Sequence, residues 1–205
     1  MILRRSMTIS SMAGGSVEVI CGGMFSGKTE ELLRRVRREQ YARKKIQLFK
    51  HGLDQRYTEG HVESHSTLRL PSEEASRARD LRDLVLETTQ VVGIDEAQFF
   101  DDEIVVVANE LADRGIRVIV AGLDTDYRGV PFGPMPHLMA IAEDVTKIRA
   151  VCVLCGAAAS RSHRLSQKGS QVEVGATDTY EARCRSCDKL HVCDVTNINR
   201  YETHS

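Results

Sequence analysis

The chain has 205 residues, of which 41% are hydrophobic and 28% are charged. This is typical of one globular domain, alone or with a small appendage, and it excludes a disordered, collagen-like or coiled-coil chain. No apolar run approaches the roughly 18 residues that a membrane-spanning helix needs. Because the net charge is -1, no overall field attracts a polyanion, and nucleic-acid binding would need a local basic patch.

Residues 1–15 contain early arginines but lack the run of about 7 to 15 apolar residues that a secretory signal needs. They are predicted to form a disordered leader of a cytoplasmic protein. In that compartment, the six cysteines point to metal ligands or free thiols rather than to disulfides.

Predicted strands and helices alternate along the first three quarters of the chain. A strand, a glycine turn and a helix come first, because an apolar β-branched run precedes a glycine pair and Leu32, Leu33 and Val36 share one helical face. The strands are predicted at 17–21, 46–49, 91–94 and 116–121, and the later helices at 81–85 and 104–111. Residues 50–66 lack periodicity and are expected to form a loop, which in compact domains is often functional.

This alternation predicts an α/β fold for residues 16–149, with a parallel sheet that helices cover on both faces. From residue 150 onward the sequence changes to cysteine, glycine and serine with short alternating runs. We therefore predict a small second domain and a C-terminal tail over residues 150–205.

A phosphate-loop motif, G-x-x-x-x-G-K-[ST], lies between the first predicted strand and helix. It consists of Gly22, Gly23, Met24, Phe25, Ser26, Gly27, Lys28 and Thr29. Its glycines let successive backbone N–H groups point at a phosphate, and the helix that follows adds its positive N-terminal end. Lys28 is expected to reach the β- and γ-phosphates and Thr29 to bind magnesium. A glycine turn with a surface lysine is the alternative, and the strand–helix context argues against it.

Two carboxylates, Asp95 and Glu96, follow the apolar run 91–94 at the carboxyl edge of the predicted sheet. An aspartate there suits the outer-sphere magnesium role, and Glu96 can act as a base on the group that attacks the γ-phosphate. Alternatively, the two residues merely cap the next helix, which is expected to start near Asp101. The base would activate water in a motor ATPase or a substrate hydroxyl in a kinase, and this motif leaves both open.

Two CxxC pairs in the last quarter of the chain predict a metal site. Their members are Cys152, Cys155, Cys184 and Cys187. Four thiolates complete a closed tetrahedral site. We therefore predict a structural zinc that holds together the two ends of the loop between the CxxC pairs. The alternatives are redox pairs or unliganded buried thiols. Of the other cysteines, Cys21 is expected to be in the core, and Cys193 is a weak substitute ligand.

Zinc ribbons often bind nucleic acid, which makes a nucleic-acid module the rival interpretation. The richest basic run, residues 34–45, follows Glu30 and Glu31 on the first predicted helix and is interrupted by Glu39. A solvated helix face explains this run. We therefore predict neither a nucleic-acid partner nor a membrane partner.

Four segments together resemble the small, zinc-containing type of thymidine kinase. They are GGMFSGKTEELLRR, VVGIDEAQFF, AGLDTDYRGVPFG and GATDTYEARCRSC, in the family's order, within about residues 16–195. The resemblance implies a RecA-like phosphate-loop domain with a zinc-anchored lasso that closes over the nucleoside. It implies transfer of the γ-phosphate of ATP to the 5′-hydroxyl of deoxythymidine, and also of deoxyuridine.

The resemblance also implies the partners of the protein. These are ATP with Mg²⁺, a structural Zn²⁺, feedback inhibition by dTTP, and a homotetramer. The reaction would supply dTMP by salvage for DNA synthesis in the cytoplasm.

The resemblance assigns roles to individual residues, with Glu96 as the general base. It places Asp95, Glu96, Ala97 and Gln98 in a second nucleotide-contacting segment. It implies a nucleoside pocket of Met24, Phe99, Leu123, Phe132, Val172, Val174 and Tyr180. Without the family resemblance, these apolar residues would be interpreted as part of the ordinary hydrophobic core. Asp54 and Arg56 match a family segment near the phosphates. The alternative for Arg56 is a solvated loop arginine. The sequence departs from the family at His51, where proline is common, and at Asp188, where an apolar residue is usual.

Overall fold

The structure is a computed structural model that describes residues 14–52, 61–63, 69–165 and 179–189. The strands are β1 (Ser16–Cys21), β2 (Ile46–His51), β3 (His61–Glu63), β4 (Arg69–Pro71), β5 (Glu73–Ala75), β6 (Val91–Asp95), β7 (Arg117–Gly122), β8 (Asp144–Lys147), β9 (Ala150–Val151), β10 (Ala158–Ala159), β11 (Arg161–Arg164) and β12 (Tyr180–Arg183). The helices are α1 (Lys28–Tyr41), α2 (Ala78–Leu84), α3 (Glu103–Asp113), α4 (Met135–Ile141) and α5 (Arg185–Asp188), with a 3-10 turn at Ala97–Phe99. The predicted leader lies outside the described residues except for Gly14 and Gly15.

Six strands form the main sheet, in the order β5-β2-β6-β7-β1-β8. Every neighbouring pair in this sheet is parallel. The α/β fold with a parallel sheet is therefore confirmed, and its form fits a phosphate-loop kinase. Since all six strands run the same way, the end of β1, which leads into the phosphate loop, and the end of β6, which carries Asp95, lie at one edge.

Helix α1 covers one face of the sheet. Its apolar residues Leu32, Leu33 and Val36 have no exposed surface. They pack against the sheet residues Ile20, Leu48, Val91, Ile119 and Ala121. The predicted amphipathic helix is confirmed, because its buried residues are those whose spacing predicted it.

Helices α2, α3 and α4 cover the opposite face. Their buried residues include Leu81, Ile104 and Leu138. The sheet residues beneath them include Val19, Phe49, Ile94, Val118 and Val120. The alternation of buried residues along each strand thus divides the core into two layers, one on each side of the sheet.

Gly93, in the middle of β6, allows α1 to lie close to the sheet. A Cβ atom at this position would lie 2.6 Å from Leu48 Cδ1 and 3.3 Å from Val36 Cγ2. Such close approach of neighbouring groups is a common reason for glycine inside a strand. Here it lets side chains of α1 and β2 occupy the space above the strand.

Several elements differ from the sequence predictions. Strand β2 continues to His51, and residues 61–63 of the expected loop form β3, which pairs with β4 in an antiparallel hairpin. Strand β8 was not predicted, because it is a mostly exposed edge strand without an apolar period. Helix α4 also was not predicted; it is short and begins at a Pro-Met-Pro sequence.

The basic run on α1 is only partly solvated. The Arg35 side chain is 11% exposed. Its Nη1 atom lies 2.8 Å from Glu18 Oε2 on β1 and 3.3 Å from Asp144 Oδ2 on β8. Arg117 also binds Glu18, at 2.6 Å. The prediction of a solvated face is therefore wrong for Arg35, which joins the helix to two strands of the sheet.

The cysteine-bearing part follows directly after β8. It consists of two antiparallel hairpins, β9 with β10 and β11 with β12, and the short helix α5. Ile148, between β8 and β9, donates its backbone N–H to the carbonyl oxygen of Cys21 at 2.8 Å. The first residue of this connection is thus attached to the strand that leads into the phosphate loop. No helix among the described residues is long and apolar enough to cross a bilayer.

Candidate active site

The phosphate-loop motif forms a tight turn between β1 and α1. Gly27 precedes the helix with φ 85° and ψ 26°, a left-handed conformation that favours glycine. The hydroxyl of Ser26 and the ammonium group of Lys28 each donate to the carbonyl oxygen of Gly23 at 2.8 Å. Their side chains therefore fold back onto the loop, which holds it in one shape at the N-terminus of α1.

Asp95 meets the phosphate loop at the edge of the sheet. The Thr29 hydroxyl donates to Asp95 Oδ2 at 3.0 Å. The Asp95 side chain is buried, and this burial together with the neighbouring Glu96 charge raises the pKa of Asp95 to about 7. A cation beside these two oxygen ligands would favour the ionised carboxylate. Two oxygen donors of the kind that magnesium prefers are thus brought together.

Glu96 is held in an uncommon backbone conformation immediately after β6. Its φ of 52° and ψ of 41° lie in the left-handed region. Its N–H donates to Asp95 Oδ1 at 3.0 Å, and its carboxylate Oε2 accepts from Gln98 Nε2 at 2.5 Å. Left-handed non-glycine residues cluster at functional sites. The Glu96 side chain is half-buried, and its carboxylate is bonded to Gln98 in this turn.

Several residues of the expected nucleoside pocket meet near the ends of β6 and β7. The rings of Phe99 and Phe132 pack edge to face, with centroids 5.7 Å apart. Leu123 donates its N–H to Gln98 Oε1 at 2.9 Å. His51, where the family commonly has proline, lies 6.0 Å from the Phe99 ring, centroid to centroid. Phe99 therefore contacts two aromatic rings, those of His51 and Phe132.

The hairpin β11–β12 reaches the phosphate loop. Ser162 of β11 is buried, and its hydroxyl accepts the backbone N–H of Met24 at 2.9 Å. Tyr180 begins β12, opposite Arg164, and is also buried. Two residues expected in the pocket, Met24 and Tyr180, are thus connected through one hairpin.

Four candidate residues lie outside the described part of the chain. These are Asp54 and Arg56, expected near the phosphates, and Val172 and Val174, expected beside the base. Cys193, the substitute zinc ligand, also lies outside it.

The four cysteines of the two CxxC pairs converge. Their sulfur atoms all lie within 4.8 Å of one another, and Cys155 Sγ and Cys184 Sγ are 3.7 Å apart. A tetrahedral zinc with bonds of about 2.3 Å requires sulfurs roughly 3.8 Å apart. The cluster therefore fits a zinc site, whose thiolates would bind the metal without an open position for substrate.

The four thiols are close enough to influence one another's ionisation. Hydrogen bonds that the Cys187 thiol donates to Cys155 and Cys184 raise the pKa of Cys187 to about 12. Although desolvation by burial alone would raise it, hydrogen bonds from backbone groups lower the pKa of Cys152 to about 6. Thiols crowded at such distances ionise unequally unless a cation stabilises all the thiolates, which is what zinc supplies.

Comparison with known proteins identifies the family. The sequence profile described as "Thymidine kinase" matches residues 15–188. The chain belongs to the thymidine kinase family. A protein of Bdellovibrio bacteriovorus named "Thymidine kinase" is 56% identical over 87% of this chain and 87% of its own length. Proteins of Bacteroides fragilis and Bacteroides thetaiotaomicron with the same name are each 51% identical, over 84% of this chain and 86% of their own.

One solved structure shows a distant likeness to this thymidine kinase family member. Domain III of the Thermotoga maritima replication initiation protein DnaA aligns with a TM-score of 0.39 and 14% identity. It covers 65% of this chain and 55% of that chain. That likeness is too weak to bear on fold or function.

Membership of the thymidine kinase family decides between the alternatives that the motifs left open. The protein is an enzyme of the phosphotransferase class, so a motor ATPase and a nucleic-acid module are excluded as its class. The expected family resemblance is confirmed over most of the chain.

Two contacts at the site of this thymidine kinase were missed by sequence reasoning. Ser162 belongs to no motif, and its bond to Met24 joins residues 138 positions apart. Gln98 was assigned to nucleotide contact, whereas its amide here bonds Glu96 and Leu123. The sequence does carry one signal for the bond to Glu96, because Gln98 lies only two residues after it.

Proposed function

We propose that this enzyme transfers the γ-phosphoryl group of ATP to the 5′-hydroxyl of deoxythymidine, giving dTMP and ADP. The contact between Thr29 and Asp95, at 3.0 Å, carries the proposal. It brings the phosphate loop and the carboxylates after β6 to one edge of the sheet. The name of the relatives supplies the nucleoside.

The phosphate loop binds the nucleotide phosphates. Its backbone N–H groups and the N-terminal end of α1 stabilise negative charge. Lys28 leaves the Gly23 carbonyl oxygen, which it contacts at 2.8 Å, and turns toward the β- and γ-phosphates. An ammonium group on a flexible stem can make this exchange at little cost.

Thr29 and Asp95 would hold Mg²⁺, which neutralises charge on the phosphates and helps to orient them. The Thr29 hydroxyl and an ionised Asp95 are oxygen donors of the kind that the ion binds. The raised pKa of Asp95 means that its ionised form needs positive charge nearby, and Lys28 also contributes some.

Glu96 acts as the general base. Its carboxylate accepts the proton of the 5′-hydroxyl as that oxygen approaches the γ-phosphorus. Phosphoryl transfer depends chiefly on positioning and on charge stabilisation. The backbone turn at Glu96 and the hydrogen bond from Gln98 therefore matter as much as its basicity.

The nucleoside pocket combines apolar contact with backbone hydrogen bonds. We assign its apolar surface to Met24, Phe99, Leu123, Phe132 and Tyr180. We assign the hydrogen bonds to the thymine edge to the backbone near Val172 and Val174. A segment that encloses the base also keeps water from the γ-phosphate and so limits wasteful hydrolysis. Asp54 and Arg56 are proposed to lie near the phosphates.

The remaining parts of the proposal rest on the resemblance to the family. They are use of deoxyuridine, feedback inhibition by dTTP, a homotetramer, and salvage of deoxynucleosides for DNA synthesis in the cytoplasm. We also propose that residues 16–149 form the ATP-binding domain, and residues 150–205 the zinc-binding lasso domain and tail, after a leader over 1–15.

A nucleoside panel tests the function. The purified chain is incubated with ATP, Mg²⁺ and one of thymidine, deoxyuridine, deoxycytidine, deoxyadenosine or deoxyguanosine, and nucleoside monophosphate is measured. Thymidine and deoxyuridine should react, because a single methyl group is worth only about 1 to 3 kcal/mol. Deoxycytidine should be far slower, since its reversed donors and acceptors leave buried groups unpaired at roughly 1 to 3 kcal/mol each. Efficient phosphorylation of deoxycytidine or a purine nucleoside would overturn the assignment.

A further inference from the structure

The side chain of Gln98 bridges the carboxylate after β6 and the end of β7. It is 2% exposed. Its Nε2 atom donates to Glu96 Oε2 at 2.5 Å, and its Oε1 atom accepts the backbone N–H of Leu123 at 2.9 Å. One buried amide therefore contacts both the proposed base and a residue of the proposed nucleoside pocket.

The partners of this amide fix its orientation. A backbone N–H can only donate, so the atom that faces Leu123 must be the amide oxygen. The NH₂ group then faces Glu96, and an ionised carboxylate can only accept. A rotated amide would place its oxygen against the carboxylate and its NH₂ against the Leu123 N–H. The main-chain N–H of Leu123, immediately after β7, thus orients the donor of Gln98 toward Glu96.

Close backbone packing leaves this arrangement little freedom. A Cβ atom at Gly122 would lie 2.9 Å from Gln98 Oε1, and one at Gly133 would lie 2.3 Å from the Gln98 carbonyl oxygen. Glu96 is held in its left-handed conformation by the same short turn. Glycine at these two positions lets the neighbouring segments approach Gln98 from two sides.

We propose that Gln98 is a positioning residue for phosphoryl transfer, and that it acts by holding the Glu96 carboxylate in place against the end of β7. This inference rests on the proposed role of Glu96 as the base. A hydrogen bond to Oε2 does not prevent the other carboxylate oxygen from taking the proton of the 5′-hydroxyl. Because Leu123 fixes the same amide, the base and one wall of the pocket are set by a single side chain.

Replacement of Gln98 by methionine tests this role. Gln98→Met keeps similar volume and removes both the donor and the acceptor. We expect kcat to fall roughly 10- to 100-fold, the size of effect that misplaced catalytic groups produce. The KM for thymidine should change by no more than about twofold. A raised KM with kcat unchanged would mean that Gln98 acts on the pocket through Leu123, and would overturn the proposal.

A double-mutant cycle with Glu96→Gln separates this proposal from that of the base. If Gln98 acts through Glu96, Gln98→Met should cost no more than about twofold in the Glu96→Gln background. An equal loss in both backgrounds would overturn the positioning role while leaving Glu96 as the base. Near-normal turnover of the Glu96→Gln single variant would instead show that Glu96 is not the general base. This result does not depend on the Gln98 variants.

Gln47 provides a matched control. Its amide also bridges a carboxylate and a backbone N–H, because Nε2 lies 2.8 Å from Glu73 Oε1 and Oε1 accepts from Leu86 at 2.9 Å. It lies on β2, near the opposite end of the strand from the site. Gln47→Met should lower the melting temperature but leave kcat unchanged, and a similar kcat loss would overturn the proposal.

A second variant covers the case in which Gln98→Met does not fold. Gln98→Ala leaves space that water can enter to bond the Leu123 N–H. Circular dichroism melting establishes the folded fraction, and kcat is expressed per folded chain. The same loss of kcat with little change of KM is expected, and an unchanged kcat in this variant would overturn the proposal.

Discussion

The Ser162 hydroxyl accepts the backbone N–H of Met24 at 2.9 Å, and so joins the hairpin next to the cysteine cluster to the phosphate loop. Ser162 pairs in register with Ala182 on β12, two residues before Cys184. A short path through the protein therefore connects the cysteine cluster to the loop that we propose binds ATP.

Ser162→Ala is expected to weaken ATP binding. The variant leaves the Met24 N–H without its side-chain partner, at a net cost of about 1 kcal/mol, or roughly fivefold in affinity. Titration of ATP with and without nucleoside measures the change. Ser162→Thr keeps the hydroxyl and should restore affinity, whereas Ser186→Ala on the exposed side of α5 should have no effect. Equal ATP affinity of Ser162→Ala and wild type would show that this bond does not shape the loop.

Glu96→Gln is expected to separate catalysis from nucleotide binding. The variant keeps the shape of the side chain and removes its basicity, so kcat should fall roughly 10²- to 10⁴-fold. ATP affinity should stay within about threefold of wild type, because the phosphate-loop contacts remain. Steady-state kinetics and ATP titration measure the two quantities. A small loss of kcat would remove Glu96 as the base and make Asp54 the next candidate.

Zinc content tests the cysteine cluster. Elemental analysis of the purified chain should find about one zinc per chain, as a closed four-thiolate site requires. Cys184→Ser should lower this content and activity together, while the main sheet stays folded, because neither of its core clusters contains a zinc cysteine. Ser186→Ala, at an exposed position of α5 two residues after Cys184, is the control and should keep its metal. Full zinc content in Cys184→Ser would implicate His191 or Cys193 as a ligand.

The ion pairs of Glu18 should make stability depend on pH. Although burial alone would raise it, the hydrogen bonds and charges of Arg117 and Arg35 lower the pKa of Glu18 below its usual 4.5. A carboxylate with a lowered folded-state pKa contributes stability above its unfolded pKa, and the contribution is lost as pH falls through the folded value. Glu18→Gln should therefore cost about 2 kcal/mol at pH 7 and progressively less below about pH 4.5.

Urea unfolding of wild type and Glu18→Gln at several pH values measures this difference. The exposed Glu87 is the matched control, and Glu87→Gln should change the unfolding free energy by less than about 0.5 kcal/mol at every pH. A loss for Glu18→Gln that stays constant down to pH 2.5 would show that its charge is not responsible.

The strands and helices that could be predicted are those whose own residues carry the signal. All five residues of β6 are buried, and the unbroken apolar run at 91–94 therefore predicted this strand. Strand β8 is mostly exposed and has a charged or polar residue at three of its four positions. It forms because β1 offers a free edge to pair with, and no local pattern contains that information.

The same distinction holds at the site. The motif predicted the meeting of Thr29 with Asp95, because parallel strands end at one edge of the sheet. It could not predict that Leu123 orients the amide of Gln98, or that Ser162 reaches Met24. Each of these bonds joins segments that are distant in sequence, and its partner is a backbone group, which any residue type supplies. Only the folded backbone shows such a pairing.

The absence of a side chain at Gly93 helps to set the distance between α1 and the sheet. A methyl group there would overlap Leu48 and crowd Val36. Leu48 would have to move aside and Val36 to give by a few tenths of an ångström. Any such shift of α1 would carry with it Lys28 and Thr29, which form its first turn. Asp95, two residues along the strand from Gly93, would stay behind. The absence of a side chain at Gly93 thus helps to keep the first turn of α1 at a fixed distance from Asp95.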